Sequence, residues 1–142
     1  MAFDQGGQLL EEGEVLAVAR FRFAIRRFEQ RTDALLRECG LTPQRYLLLL
    51  AVHAAQMAGG HATVSAIGRE LEMPQTTVTD LVARAVDTGL LQRTTSTDDG
   101  RVSRIVLTPE GDRRLRRAIE RLGSDRTMLR QALVEATRLF PP

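Results

Sequence analysis

The spacing of apolar residues changes once along the chain, and that change restricts the folds that its 142 residues can adopt. Between residues 63 and 88 apolar side chains recur at helical intervals, with a break at Glu72-Met73-Pro74. From residue 91 to residue 107 the pattern changes to a period of two on both sides of Asp98-Asp99-Gly100: residues 91, 93 and 95 alternate with 92 and 94, and residues 103, 105 and 107 alternate with 102, 104 and 106. Asp-Gly between alternating segments is a strong β-hairpin signal. We therefore predict two short helices joined by a tight turn, followed by a hairpin over about residues 91–107.

A long helix is predicted before this segment, over about residues 8–38, and it carries two apolar stripes. One stripe passes through Val18 and Phe28, and the other passes through Leu16 and Phe23. The first stripe is expected to pack on its own domain. The second favours contact with another copy of the chain, although a helix buried on two sides of one monomer would show the same pattern.

Two threonine–proline pairs mark further helix starts, with threonine as the cap and proline in the first turn. Thr42-Pro43 opens a helix to about Met57 that is apolar nearly all round and is therefore expected to be central and buried. Its apolar residues include Tyr46, Leu47, Leu50 and Val52. Thr108-Pro109 opens a helical region to about residue 140, in which Gly123-Ser124 leaves one long helix or two shorter ones open.

The composition and the motifs missing from the sequence exclude several classes of protein. The single cysteine, Cys39, excludes an internal disulfide and fits a reducing compartment. No apolar run reaches the roughly 18 residues of a membrane span, and the first residues lack the pattern of a signal peptide, so a cytoplasmic location without membrane contact is expected. A nucleophile elbow, a glycine-rich phosphate loop and a Cys/His cluster of zinc spacing are all missing from the sequence. We therefore expect no catalytic residues, no metal and no cofactor, and a protein that is not an enzyme.

All 20 basic residues are arginine, and the net charge is +2. Arginine suits phosphate oxygens and guanine edges, but a GC-rich coding bias would produce the same excess, so this feature permits nucleic-acid binding without proving it. A basic run over residues 113–121 is interpreted as a solvated face paired with acids such as Glu110 and Glu120, with an auxiliary phosphate contact as the alternative.

Two short helices followed by a hairpin are the order of a winged helix-turn-helix, whose second helix enters the major groove of DNA. Gln75 could bind adenine through two hydrogen bonds, and an arginine in the wing suits a narrow minor groove. A solvated helix pair and a solvated charged hairpin remain the alternatives. The candidate DNA-binding residues are Ser65, Gln75, Thr76, Thr77, Thr79, Arg84, Arg93, Asp99, Arg101 and Arg104.

The stretch 41–111 resembles the MarR family of bacterial regulators. The matching segments, in order, are LTPQRY (41–46), VSAIGREL (64–71), TTVTDLVAR (76–84), GLLQR (89–93), DGR (99–101) and IVLTPEG (105–111). Three features depart from the family pattern: Asp80 is acidic where a basic or polar residue is common, Pro74 replaces a capping serine, and the region after Gly111 is short.

The resemblance implies an α+β, mainly helical winged helix-turn-helix. Residues 1–40 and 109–142 would be dimerisation helices, and residues 41–108 the DNA-binding lobe, all in one continuous globular unit. It also implies a homodimer on a palindromic operator in double-stranded DNA. The 75–88 helix would lie in the major groove and Arg101 at the wing tip in the minor groove, where Asp99 would orient it.

Many members of this family are repressors released by a small anionic or phenolic effector, and others respond to thiol oxidation. Arg20, Arg27, Tyr46 and His53 are the candidate effector-pocket residues. His53 is alternatively a hydrogen-bonded core residue. Cys39 does not match the position of a sensing cysteine and is interpreted as passive. The alternative function is a winged-helix module that binds protein and has no operator affinity, which Asp80 and the modest charge make plausible.

Overall fold

The computed structural model describes residues 12–95 and 103–139. In these ranges the elements are α1 (Glu12–Glu38), α2 (Pro43–Met57), α3 (Val64–Leu71), α4 (Gln75–Asp87), β1 (Leu91–Thr95), β2 (Ser103–Leu107), α5 (Pro109–Arg121) and α6 (Gly123–Leu139). The mainly helical α+β class is confirmed. The chain divides into a larger unit, residues 32–122, and a smaller unit that contains residues 12–31 and 123–139.

Helix α2 is the centre of the larger unit and packs against α3, α4, α5 and β2. Its Leu48, Leu49 and Val52 are fully buried, so the predicted central position of α2 is confirmed. The surrounding core includes Leu36, Leu41, Ile67, Val78, Val82, Leu90, Leu91, Ile105 and Leu115. The expectation of burial was wrong for Leu47, which is 43% exposed because its neighbours cover only part of the helix circumference.

Threonine side chains cap three helices of the larger unit. The hydroxyls of Thr42, Thr63 and Thr108 accept hydrogen bonds from the backbone N–H three residues later, at 3.2, 3.2 and 3.0 Å. Each bond satisfies one of the donors that the first turn of a helix leaves unpaired. Proline follows the cap in α2 and α5, as the sequence predicted.

The hairpin pairs β1 with β2 in an antiparallel register, which confirms the predicted strand alternation. Ile105 is the buried residue of β2, and its N–H donates to the carbonyl of Ala62 at 2.9 Å. This bond attaches the hairpin to the segment just before α3.

The last helical region is two helices, which settles the alternative that the sequence left open. Leu122 interrupts it with φ −82° and ψ 2°, and its N–H donates to the carbonyl oxygens of Ala118 and Glu120. Leu122 is buried at the end of α5, and α6 begins at Gly123.

The smaller unit leaves much of its apolar surface exposed. On α1, Leu16 and Phe23 of the second predicted stripe are 58% and 60% exposed. The inward position expected for Val18 was wrong: it is 45% exposed, because Ala17 is the residue of this turn that faces the covered side. On α6, Met128, Leu133 and Val134 are also exposed.

Candidate DNA interface

The turn between α3 and α4 is held by backbone geometry. Glu72 has the left-handed φ of 52°, and the N–H of Met73 donates to the carbonyl of Gly68 at 3.0 Å. A left-handed residue followed by such a backward bond is a common way for a helix to end. A Cβ on Gly68 would lie 3.1 Å from the Met73 carbonyl oxygen, so glycine permits this close approach.

Helix α4 has one buried and one exposed face. Val78, Leu81, Val82 and Ala85 are buried in the core. The exposed face carries Gln75, Thr76, Thr79, Asp80, Ala83 and Arg84, whereas Thr77 is half-buried at its edge. Short side chains therefore dominate this face and allow close approach of another molecule.

The N-terminus of α4 lacks a side-chain cap, because Pro74 stands at the cap position. The carboxamide of Gln75 instead donates from Nε2 to Oγ of Ser65 on α3, at 2.9 Å. The hydroxyl of Thr79 donates to the Gln75 carbonyl at 2.8 Å. The structure thus brings three predicted site residues into one hydrogen-bonded group.

Asp80 and Arg84 are one turn apart on the exposed face. At this spacing an ion pair with Arg84 would neutralise Asp80. Among the described residues no ion pair joins them. The carboxylate of Asp80 therefore weakens the attraction of this face for phosphate.

The hairpin places its two described arginines on opposite faces. Arg93 pairs with Ile105, and Arg104 pairs with Thr94, and directly paired residues share a face of the sheet. Arg93 is exposed and Arg104 is half-buried. Asp99 and Arg101, the predicted tip residues, lie outside the described residues.

The base of the hairpin is fixed to α4 and α5. Thr108, after β2, donates from its hydroxyl to the carbonyl of Gly89 at 2.5 Å and from its N–H to the carbonyl of Leu90 at 3.1 Å. A Cβ added to Gly111 would overlap the Leu90 carbonyl oxygen. Because Gly89 and Leu90 lead directly from α4 into β1, these contacts set the direction in which the hairpin leaves α4. This role of Gly111 could not be predicted from the sequence, since no periodic pattern marks a close backbone approach.

The basic run on α5 forms ion pairs within its own helix, as predicted for Glu110, whereas no ion pair of Glu120 is found among the described residues. Glu110 pairs with Arg113 at 2.7 Å and with Arg114 at 2.6 Å, and Asp112 pairs with Arg116 at 2.8 Å. Hydrogen bonds from Arg113 and Arg114 lower the pKa of Glu110, and the bond to Asp112 raises the pKa of Arg116.

Arg114 and Arg121 also connect α5 with the end of α1. Arg114 donates to the carbonyl of Gly40 at 3.0 Å, and Arg121 pairs with Glu38. Several guanidinium groups of the basic run are therefore already engaged by acids or carbonyls of the larger unit.

Two candidate effector residues line separate cavities. In the smaller unit, Arg27 lines a cavity of about 380 Å³ with Phe28, Arg31 and Met128, among others. In the larger unit, His53 is half-buried and lines an open depression of about 450 Å³ with Asp112. Arg31 was missed as a cavity residue, although its spacing of four from Arg27 already placed both on one helix face.

Arg20 is exposed and Tyr46 is half-buried. Cys39 is buried in the core of the larger unit. Over the described ranges, no group of histidine, cysteine, aspartate or glutamate is arranged to hold a metal ion. No helix in those ranges has the length and apolar character needed to cross a membrane.

Comparisons with known proteins agree with this architecture. The model of the MarR family matches residues 40–102. A probable transcriptional regulator from Pseudomonas aeruginosa is 30% identical, with a TM-score of 0.56 over 79% of this chain and 81% of that one. A MarR family protein from Bacillus stearothermophilus is 25% identical, with a TM-score of 0.64 over 87% of this chain and 82% of that one.

A MepR mutant of S. aureus, solved bound to an oligodeoxyribonucleotide, has the same fold at 24% identity, with a TM-score of 0.64 over 80% of this chain and 78% of that one. A search of the curated proteins found no significant match. The family match falls on the segment that contains α2, α3, α4 and β1, where the helix-turn-helix was identified from its geometry. The chain belongs to the MarR family of transcription regulators.

Proposed function

We propose that this protein regulates transcription by binding double-stranded DNA as a homodimer on a palindromic operator. Helix α4 lies in the major groove, and the hairpin contacts the adjacent minor groove through Arg101. The observation that carries the proposal is the exposed face of α4, which is built from short polar side chains at the second helix of a helix-turn-helix.

The dimensions of DNA support this placement. The major groove of B-DNA is about 12 Å wide and admits a helix whose outward side chains are small. Thr76, Thr79 and Ala83 meet that condition, and Gln75 and Ser65 border them at the N-terminal end of α4. Residues near the N-terminus of a recognition helix are those that reach base edges. The similar S. aureus MepR mutant was solved with an oligodeoxyribonucleotide.

The homodimer is supported by the apolar surface of the smaller unit. Val15, Leu16 and Phe23 of α1 are more than half exposed, and three apolar residues of α6 are exposed as well. Monomeric proteins seldom leave so many large apolar side chains in contact with water. A second copy of the chain would cover them, and its two-fold symmetry would match a palindromic DNA site.

A small anionic or phenolic effector is the finer part of the proposal. The cavity in the smaller unit offers the arginines Arg27 and Arg31 beside the aromatic ring of Phe28. Two guanidinium groups suit a carboxylate, and the ring suits an aromatic body. Such a ligand would release a repressor from DNA. A regulator of this kind acts in the cytoplasm, where bacterial DNA is found.

A gel-shift titration tests DNA binding directly. The full chain is titrated into a duplex that carries the promoter of the neighbouring genes, at two salt concentrations and against a scrambled duplex. Specific binding should weaken steeply as salt rises, because counterions return to the phosphates when the protein leaves. Equal, weak binding to both duplexes would instead support the alternative, a winged-helix module that binds a protein.

A further inference from the structure

One hydrogen bond between the two helices of the motif determines how a base-contacting side chain is presented. Gln75 is the first residue of α4, and Ser65 is the second residue of α3. The Nε2 of Gln75 donates to Oγ of Ser65 at 2.9 Å, and both residues are exposed. The bond therefore lies on the surface that would face DNA.

This hydrogen bond uses one of the two side-chain N–H donors of Gln75. A carboxamide has two N–H donors and one carbonyl acceptor. Ser65 accepts from one N–H. Gln75 is left with one N–H and its Oε1 to offer to a base edge. That pair matches adenine, which presents the acceptor N7 and an N6 donor in the major groove.

Guanine does not match the same pair. It presents two acceptors, N7 and O6, so Oε1 of Gln75 would face another acceptor. If the bond to Ser65 were absent, the carboxamide could turn both N–H groups toward N7 and O6. Ser65 thus removes the arrangement in which Gln75 would accept guanine.

We propose that Ser65 is a positioning residue that makes Gln75 prefer adenine over guanine at one base pair of each half-site. The inference rests on the proposed DNA-binding function and adds to it the base that one residue recognises. Ser65 acts through Gln75 and needs no base contact of its own.

The backbone around Gln75 is already fixed, so the bond to Ser65 restricts only the rotation of the Gln75 side chain. Thr79 donates to the Gln75 carbonyl at 2.8 Å, and the left-handed Glu72 holds the preceding turn. Immobilising a side chain of this length before binding is equivalent to about a 2- to 12-fold gain in affinity. That gain applies to adenine and not to guanine, because the fixed carboxamide offers the donor and acceptor that adenine matches and guanine does not.

The test is a selection from randomised duplexes with the full chain, followed by affinity measurements on the selected site. Four proteins are compared: wild type, Gln75→Ala, Ser65→Ala and Ser65→Thr. Gln75→Ala should lose the preference at one base pair of each half-site. Ser65→Ala should lower the adenine-to-guanine affinity ratio at that same base pair by about 2- to 12-fold, partly through stronger binding of guanine. Ser65→Thr, which keeps the hydroxyl, should restore the ratio.

The outcomes separate this inference from the function on which it rests. If wild type selects no sequence, the DNA-binding function itself is contradicted. If wild type selects a site but Ser65→Ala keeps the wild-type ratio, the role of Ser65 alone is contradicted. Three further results would also overturn it. Ser65→Ala could lose affinity equally at all base pairs, or wild type could prefer guanine at the base pair that Gln75 contacts. Gln75→Ala could also select the same sequences as wild type. Equal melting temperatures of the four proteins show that folding is not the cause.

Discussion

Gly111 shows how one residue connects the helix-turn-helix to the helix that follows it. Its backbone lies against the Leu90 carbonyl so closely that no Cβ fits between them. Leu90 is fully buried and directly precedes β1. The direction in which the hairpin leaves α4 thus depends on this close approach between Gly111 and Leu90.

Gly111→Ala should destabilise the protein by about 1–3 kcal/mol, because the new methyl group must displace buried backbone. Gly13→Ala is the matched control, since Gly13 lies in α1 with nothing within 4 Å of its would-be Cβ. The control should be neutral or slightly stabilising, because alanine favours helix. Urea unfolding measures both. Equal midpoints for the two variants would contradict the close approach.

The charge of Arg101 matters if the hairpin tip enters a minor groove. Arg101→Ala should weaken specific DNA binding by about 1–3 kcal/mol and leave the melting temperature unchanged. Arg22→Ala, at an exposed position of α1, controls for the loss of one positive charge. Anisotropy titrations at constant salt compare the two. An Arg101→Ala protein that binds like the control would remove the wing from the interface.

At the scale of elements, α5 is stabilised at its N-terminus by charge. Glu110 lies in the first turn, where a carboxylate is favoured by the helix dipole, and it accepts hydrogen bonds from Arg113 and Arg114. These bonds lower its folded-state pKa, so the carboxylate contributes stability above its unfolded pKa and loses that contribution as pH falls through the folded value.

Replacing Glu110 by glutamine tests that pH dependence. At neutral pH the variant should unfold at a lower urea concentration than wild type. The difference should shrink as the pH is lowered through the folded pKa of Glu110, because wild type then also carries a neutral side chain there. The ion pairs of Glu110 lie at the surface, so their effect on stability is small and is measured as the difference between the urea midpoints of the two proteins. If the difference in urea midpoint stays constant down to the lowest pH at which both proteins fold, the ion pairs of Glu110 are not its cause.

The elements themselves were largely predictable, because caps and periodicity are local signals. Thr42 and Thr63 determine helix starts through bonds that span three residues, and Gly89 ends α4 with a φ of 74°. The break at Leu122 could not be decided in advance, since Gly123 is compatible with either a stop or a continuing helix. Local patterns also failed to predict that Leu47 would be exposed, because the exposure of a residue on a uniformly apolar helix depends on which neighbours pack there.

The residues of the candidate site could be predicted from the sequence, but the contacts between them could not. The exposed face of α4 follows from the buried stripe of Val78 and Val82, which fixes the opposite side. The bond between Ser65 and Gln75 joins two helices across a turn, and nothing in the local spacing predicts it. Contacts of this kind depend on the angle between helices, which is set by packing.

At the scale of the whole molecule, two copies should associate through the smaller unit. Phe23→Glu should shift the protein from dimer to monomer, because burying a charge in place of an aromatic ring opposes association. Met57→Glu is the control, since Met57 is 77% exposed but belongs to the larger unit. Sedimentation velocity measures both variants. The Met57→Glu control should stay dimeric at micromolar concentration. If Phe23→Glu also stays dimeric there, the dimer interface lies elsewhere.

The central claim is that the exposed face of α4 contacts DNA, and a charge placed on that face tests it most directly. Ala83→Glu puts a carboxylate on the face, and Ala34→Glu makes the same change at an exposed position of α1. The measurement is fluorescence anisotropy of a selected operator duplex titrated with each protein at one salt concentration. We expect Ala83→Glu to lose at least about tenfold in affinity through repulsion by phosphates, and Ala34→Glu to bind like wild type. Equal affinities for all three proteins, with unchanged melting temperatures, would contradict the claim.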